Sequence, residues 1–96
     1  MYLKKHTNTE TEILAICDDT LLGTTLRGEG TKFEISEQFF KGSHTNKEEV
    51  IQALLTSNCC TLVGKETIQL ALETGIITKE SILEIGNVPY ALVFQL

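Results

Sequence analysis

The stretch Cys59-Cys60-Thr61-Leu62-Val63-Gly64-Lys65-Glu66-Thr67-Ile68-Gln69-Leu70-Ala71-Leu72-Glu73-Thr74-Gly75 decides the fold. It reads as a short buried strand, a glycine turn, a helix of about two to three turns and a glycine stop. Ile68, Ala71 and Leu72 form the apolar stripe of that helix, with Leu70 toward its edge. Gly75 is placed to take the left-handed position that ends a helix. A strand feeding an amphipathic helix needs a sheet to pack on, and the flanking segments supply it.

Upstream, residues 2–6 read as a first strand and the apolar run Glu12-Ile13-Leu14-Ala15-Ile16-Cys17 as a second, buried one. The polar segment Thr7-Asn8-Thr9-Glu10 turns between them, so the two form a hairpin. Asp18-Asp19-Thr20 reads as the cap of a short turn through Leu21-Leu22 that Gly23 ends. Residues 24–30, with glycines flanking a charge, read as the most flexible loop. Thr31-Lys32-Phe33-Glu34-Ile35 alternates as a half-exposed strand does, with Phe33 and Ile35 inward. Ser36 caps a short helix over 37–40, closed by Gly42, and core packing is the expected role of Phe39 or Phe40. Thr45-Asn46-Lys47-Glu48 fits a capping box, and Val50, Ile51, Leu54 and Leu55 recur at helical spacing. The helix they predict spans 46–57, with Asn58 as its stop.

Downstream, Thr78-Lys79-Glu80 makes a brief helical turn. Residues 81–85 and 89–94 are strands joined near Gly86-Asn87, and Pro89, lacking an N–H, starts the last strand or lies on an edge. The whole is α+β: a mixed or mainly antiparallel sheet of five to six strands with two main helices packed on one face, in a single domain over 1–96.

A composition of 42% hydrophobic and 22% charged residues is that of a globular chain. The net charge of −5 repels nucleic acid and anionic membrane, so RNA is a partner only through a local basic patch. Only Lys4-Lys5 are adjacent; Arg27, Lys32, Lys41, Lys47, Lys65 and Lys79 are dispersed. Met1-Tyr2-Leu3-Lys4-Lys5 leads into polar residues and not into an apolar leader, and no run is long enough to span a membrane. With an odd count of 3 cysteines, this places the chain in a reduced, cytoplasmic compartment.

Gly64-Lys65-Glu66-Thr67 after a strand is half of a phosphate loop, but Cys59 stands where its first glycine belongs and Thr67 falls one residue late. Free N–H groups at the helix start, with Lys65 beside them, remain as a general anion-attracting feature, and a purely structural turn is favoured over it. Cys17, Cys59, Cys60, His6 and His44 lack the spacing of a zinc site, so no metal and no cofactor are expected and the cysteines read as small core residues. Asp18-Asp19 and Glu48-Glu49 sit where helix starts favour negative charge, which explains them without catalysis. The candidate binding residues are Arg27 and Lys32 with Gly64 and Lys65: a glycine loop holding the one arginine, and the turn that opens a helix.

Taken end to end, the chain resembles a small archaeal family named only as domain of unknown function 424. The matching residues are Met1-Tyr2-Leu3-Lys4, Ala15-Ile16-Cys17-Asp18-Asp19 with Leu21-Leu22-Gly23, and Glu34-Ile35-Ser36-Glu37-Gln38-Phe39-Phe40-Lys41-Gly42. They continue through Leu62-Val63-Gly64-Lys65, Leu70-Ala71-Leu72-Glu73-Thr74-Gly75-Ile76-Ile77 and Leu83-Glu84-Ile85-Gly86-Asn87-Val88-Pro89-Tyr90-Ala91. The resemblance implies an archaeal, cytosolic, single-domain protein without an established activity, some relatives having an RNA- or translation-linked association. Where the family tends to carry His and Gln in a G-V-P-H-A-Q string, this chain has Tyr90 and Leu92. The residues and the resemblance together point to a non-catalytic binding or adaptor module with a protein partner. The alternatives are an RNA-binding or translation-linked accessory protein, which a spatial cluster of Arg27, Lys32, Lys41 and Lys65 would favour, and a small enzyme using Cys17 or a carboxylate.

Overall fold

The structure, a computed structural model, describes residues 1–7 and 10–94; the turn expected at Asn8-Thr9 lies outside them. Strands β1 (Tyr2–Thr7) and β2 (Glu12–Cys17) form the expected antiparallel hairpin, with Tyr2 opposite Cys17 and His6 opposite Ile13. Strands β3 (Thr25–Gly28) and β4 (Thr31–Glu34) form a separate two-stranded sheet. Helix α1 (Glu37–Phe40), strand β5 (Ser43–His44) and helix α2 (Lys47–Thr56) follow, then β6 (Cys59–Val63) and helix α3 (Lys65–Thr74). Strands β7 (Leu83–Ile85) and β8 (Val88–Phe94) end the described chain. The main sheet has six strands in the order β5-β1-β2-β6-β8-β7.

It is a mixed sheet: β2 and β6 run parallel, with Ile13 opposite Cys59 and Cys17 opposite Val63, and its other pairs are antiparallel. Each of its faces carries a core. Leu14, Ile16, Cys60, Leu62 and Ala91 point to one face and meet Val50 and Leu54 of α2 and Ile68, Leu70 and Ala71 of α3. Both main helices therefore pack on one face, as the sequence implies. Ala15, Cys17, Val63 and Ile85 point to the other and meet Leu26, Ile35 and Phe40, so the small sheet and α1 cover that side. The strict alternation of a pleated strand divides neighbours such as Ile16 and Cys17 between these cores.

Several details differ from the sequence-based expectation. Residues 24–30 are ordered as β3 and the β3–β4 turn, because Leu26 and Phe33, opposite each other, bury the inner face of that hairpin. Leu70 is buried and Leu72 only half-buried, since α3 turns its stripe toward Leu70. The α2 cap lies one residue later than the capping box placed it: Asn46 Oδ1 accepts the Glu49 N–H at 2.9 Å. Ser36 Oγ accepts the Phe39 N–H at 3.2 Å, as expected. The β7–β8 turn uses Gly86 and Asn87 at φ of 56° and 66°. Positive φ at both central residues gives the backbone twist that suits a tight hairpin. Pro89 is the second residue of β8, which lies between β6 and β7, and its carbonyl accepts the Gly64 N–H at 2.9 Å.

Leu54, 1% exposed, packs α2 onto the sheet. Leu54→Ala should lower the unfolding free energy by about 2–5 kcal/mol, the cost of truncating a core leucine. A shift of the urea midpoint at constant slope measures it, and an unchanged midpoint would show that this helix face is not in the core.

Candidate functional site

Arg27 and Lys32 stand directly opposite each other on the outer face of the β3–β4 hairpin, both exposed. Like charges held opposite across two strands repel, and neither makes an ion pair with an acidic side chain among the described residues. The arrangement suits an anionic group, with the planar arginine fork offering the more directional contact. The hairpin's position is fixed from below: a Cβ on Gly86 would lie 2.9 Å from the Arg27 carbonyl oxygen, so the β7–β8 turn presses on the Arg27 backbone.

Gly64 and Lys65 lie at the carboxyl end of β6, where α3 begins. The amides at that helix start are already occupied. Asp18 Oδ2 accepts the Glu66 N–H at 3.0 Å, and Oδ1 accepts the Thr67 N–H at 2.8 Å and the Thr67 hydroxyl at 2.7 Å. Asp18 does not cap the turn at Asp19–Leu21 that its position suggested; it makes no side-chain cap there and caps α3 instead. Gly64 makes this approach feasible, with φ of 113° and a buried Cα against which any Cβ would strike the Asp18 carboxyl group. Gly64 and the helix amides are thereby structural, and Lys65 is left exposed beside them.

Lys41 does not join Arg27 and Lys32. It lies 4.0 Å from Glu37 on α1 and precedes Gly42, which crosses tightly over Leu3 and Lys4 of β1. The Arg27 backbone is packed by the β7–β8 turn, at the far side of the sheet order from β1. Of the four basic residues that an RNA-binding reading calls for, strand pairing brings Arg27 and Lys32 together, and Lys41 is engaged with Glu37.

Cys17 is fully buried, and burial, with the neighbouring Asp18 charge second, pushes its thiol up to about 11. Burial likewise raises the Cys60 thiol. Cys17 faces the hairpin core and Cys60 the helix core, on opposite sides of the sheet. A buried, protonated thiol lacks the exposure and electropositive setting of a nucleophile. Asp19 accepts from the Met1 amino group at 2.6 Å and lies 2.8 Å from His44 Nε2, and these two contacts, the amine first, hold its carboxyl below the usual range. His6 stacks on Phe39 with centroids 4.4 Å apart. No group of three or more metal-ligating side chains forms among the described residues.

The structure also exposes a surface that the sequence did not reveal. On the hairpin-bearing face, α1 contacts β1 and β2, while Phe33 meets Tyr90 edge-on at 5.6 Å and Gly28 meets Ile85. The amino-terminal end of β6 and its neighbours stay uncovered. Leu83, Leu92 and Phe94, 50%, 63% and 71% exposed, share this face with half-buried Ile13, Cys59 and Thr61. Ala91-Leu92-Val93-Phe94 is apolar on both strand faces. Such a run reads as buried twice over, so no alternation marks the open side. Tyr90 and Leu92, the positions differing from the G-V-P-H-A-Q string, both point to this face.

The chain belongs to the family described as Protein of unknown function (DUF424), whose model matches residues 6–96. A crystal structure of an uncharacterized conserved protein from Methanopyrus kandleri superposes with a TM-score of 0.79 at 24% identity, over 99% of this chain and 92% of that one. That likeness establishes the shared fold. No functionally curated protein matches the chain. No helix among the described residues is long and apolar enough to cross a membrane.

The Asp18 cap and the thiols give separate tests. Asp18→Ala should cost about 2–3 kcal/mol in a urea titration, because it leaves the buried Thr67 hydroxyl and amide unpaired, whereas ordinary exposed-site changes stay within about 0.5 kcal/mol. A loss in that smaller range would show that the cap is dispensable. For Cys17 the folded thiol holds its proton to higher pH than the unfolded one, whose ordinary value is 9.0. Stability should therefore fall as pH rises from about 9 toward 11, with Cys17→Ala, at a lower baseline, showing a flatter profile. Identical pH profiles for the two proteins would contradict the assignment.

Proposed function

We propose that this protein is a non-catalytic binding module, archaeal and cytosolic, that seats a protein partner on the uncovered part of its sheet. The observation that carries this reading is the strip Leu83, Leu92 and Phe94, each at least half exposed on one face of a rigid sheet. A folded chain of 96 residues has reason to bury such side chains, and a contiguous exposed apolar surface rimmed by polar groups marks an interaction site. Arg27, Lys32 and Lys65 are assigned to the charged border, where they would meet acidic groups of the partner and set orientation and salt dependence more than affinity. Aromatic Phe94 is the anchor expected to matter most. The buried thiols and engaged carboxylates support binding in preference to catalysis.

The test is co-isolation from the host followed by a direct binding titration with the captured partner. Leu92→Glu together with Phe94→Glu should leave the unfolding midpoint near that of the parent, since both positions are exposed, and should weaken binding at least about a hundredfold. Arg27→Ala and Lys65→Ala should weaken binding by a smaller factor and flatten its loss with salt. Undiminished binding by the double glutamate variant, or a partner that nuclease treatment removes, would overturn the proposal and favour the RNA-linked alternative in the second case.

A further inference from the structure

We propose a second, separate binding site: a groove between the β1 edge and α2 that takes an extended, basic polypeptide segment as an added strand. The edge is open over part of its length. β5 pairs only with Tyr2 and Leu3, Gly42 abuts the Leu3 carbonyl and Lys4, and from Lys5 to Thr7 the edge of β1 has no paired strand on that side among the described residues. The Thr45 N–H donates to the Met1 carbonyl, so the backbone groups of Met1, Leu3, Lys5 and Thr7 face outward by the alternation of an antiparallel strand. Lys5 thus presents an N–H and a C=O to solvent, one half of a strand ladder.

Beside this edge lies an open groove of about 490 Å³. Leu3 and Lys5 form its sheet wall, and Glu48, Glu49, Ala53 and Thr56 form its helix wall. From Glu48 to Thr56 the helix advances about 12 Å, the length of about four extended residues. A strand added along Lys5 would turn every second side chain into the groove, the geometry by which sheet edges take peptides between a strand and a helix. Its apolar floor is Leu3 and Ala53, both half-buried against the helix core. Glu48 and Glu49 are exposed at the end nearer Leu3, and neither makes an ion pair among the described residues. The segment that fits carries one basic and one small apolar residue on the same strand face.

The experiment uses the full chain and an acetylated, amidated peptide Thr-Lys-Thr-Val-Thr, which places lysine and valine on one face. Amide chemical shifts of Lys5 to Thr7 and of Glu48 to Thr56 should move on titration, and Glu48→Lys with Glu49→Lys should weaken binding at least about tenfold. In an antiparallel pairing the residues whose side chains enter the groove are also those whose N–H groups face β1, so N-methylation of the valine, which removes a ladder donor without changing a side chain, should weaken it to a similar degree. The Leu92→Glu and Phe94→Glu variant should bind this peptide as the parent does, so the two surfaces succeed or fail independently. Absence of shifts up to about 5 mM peptide, shifts centred on Leu92 and Phe94, or equal binding by the methylated peptide or by the charge-reversed protein would each overturn the proposal.

Discussion

The Asp18 carboxylate on the first turn of α3 ties the molecule together. It leaves the end of β2 and meets amides 48 and 49 residues later in the chain. Two further bonds brace the same point: the Asp18 N–H donates to the Val63 carbonyl at 3.2 Å and the Gly64 N–H to the Pro89 carbonyl at 2.9 Å. The ends of β2, β6 and β8 and the start of α3 are thereby fixed relative to one another. The parallel β2–β6 pair needs such a constraint. Its strands are joined by a long crossover through β3, β4, α1, β5 and α2, so no tight turn sets their register. A charged acceptor at a helix start gains from both the unpaired N–H groups and the helix dipole. It also satisfies the Thr67 hydroxyl, which is fully buried.

With register set there, the two faces of the sheet acquire different coverings. α2 and α3 lie over the residues Leu14, Ile16, Cys60, Leu62 and Ala91 and close that core. The opposite face receives smaller elements, the β3–β4 hairpin and the four-residue α1. Phe33 and Phe40, with ring centroids 6.4 Å apart, are the main bulk they bring. These elements fill the carboxyl end of the central strands and stop short of Leu92 and Phe94. A continuous sheet covered by unequal layers leaves apolar area over, and this is the physical origin of the exposed strip.

What the sequence made legible follows from interaction range. Ser36 capping α1, Gly75 ending α3 and the Gly86-Asn87 turn were readable because each depends on residues a few positions apart. Asp18 reads as the cap of the nearest available turn, since nothing local distinguishes it from a cap reaching across the sheet. Thr31 to Ile35 alternates visibly as a strand, but residues 24–30 read as a loop because their glycines are locally permissive, and Leu26 reveals its role only through the core it meets. Leu70 and Leu72 exchanged expected burial because α3 is apolar on adjoining sides and the sheet decides its rotation. Of the candidate site, the convergence of Arg27 with Lys32 follows only from the β3–β4 pairing, which the glycine-rich segment does not announce. The open strip was hidden by apolar residues on both faces of β8.

The distribution of partners then separates scaffold from working surface. Asp18, Asp19, Ser36 and Asn46, the side chains with the most obvious capacity for chemistry or capping, all make intramolecular contacts. Cys17 and Cys60 are packed and protonated. Satisfied groups of this kind rigidify a fold, and altering them costs stability before it could alter recognition. The groups without such engagement are of another sort: Leu83, Leu92 and Phe94 in apolar contact with solvent, Arg27 and Lys32 opposed across a hairpin, and the outward backbone of Lys5. Each would gain by meeting a complementary surface, and none requires a bond to be made or broken. A small sheet held in one geometry by buried and capped polar groups can present these without reorganising, which lowers the entropic cost of association.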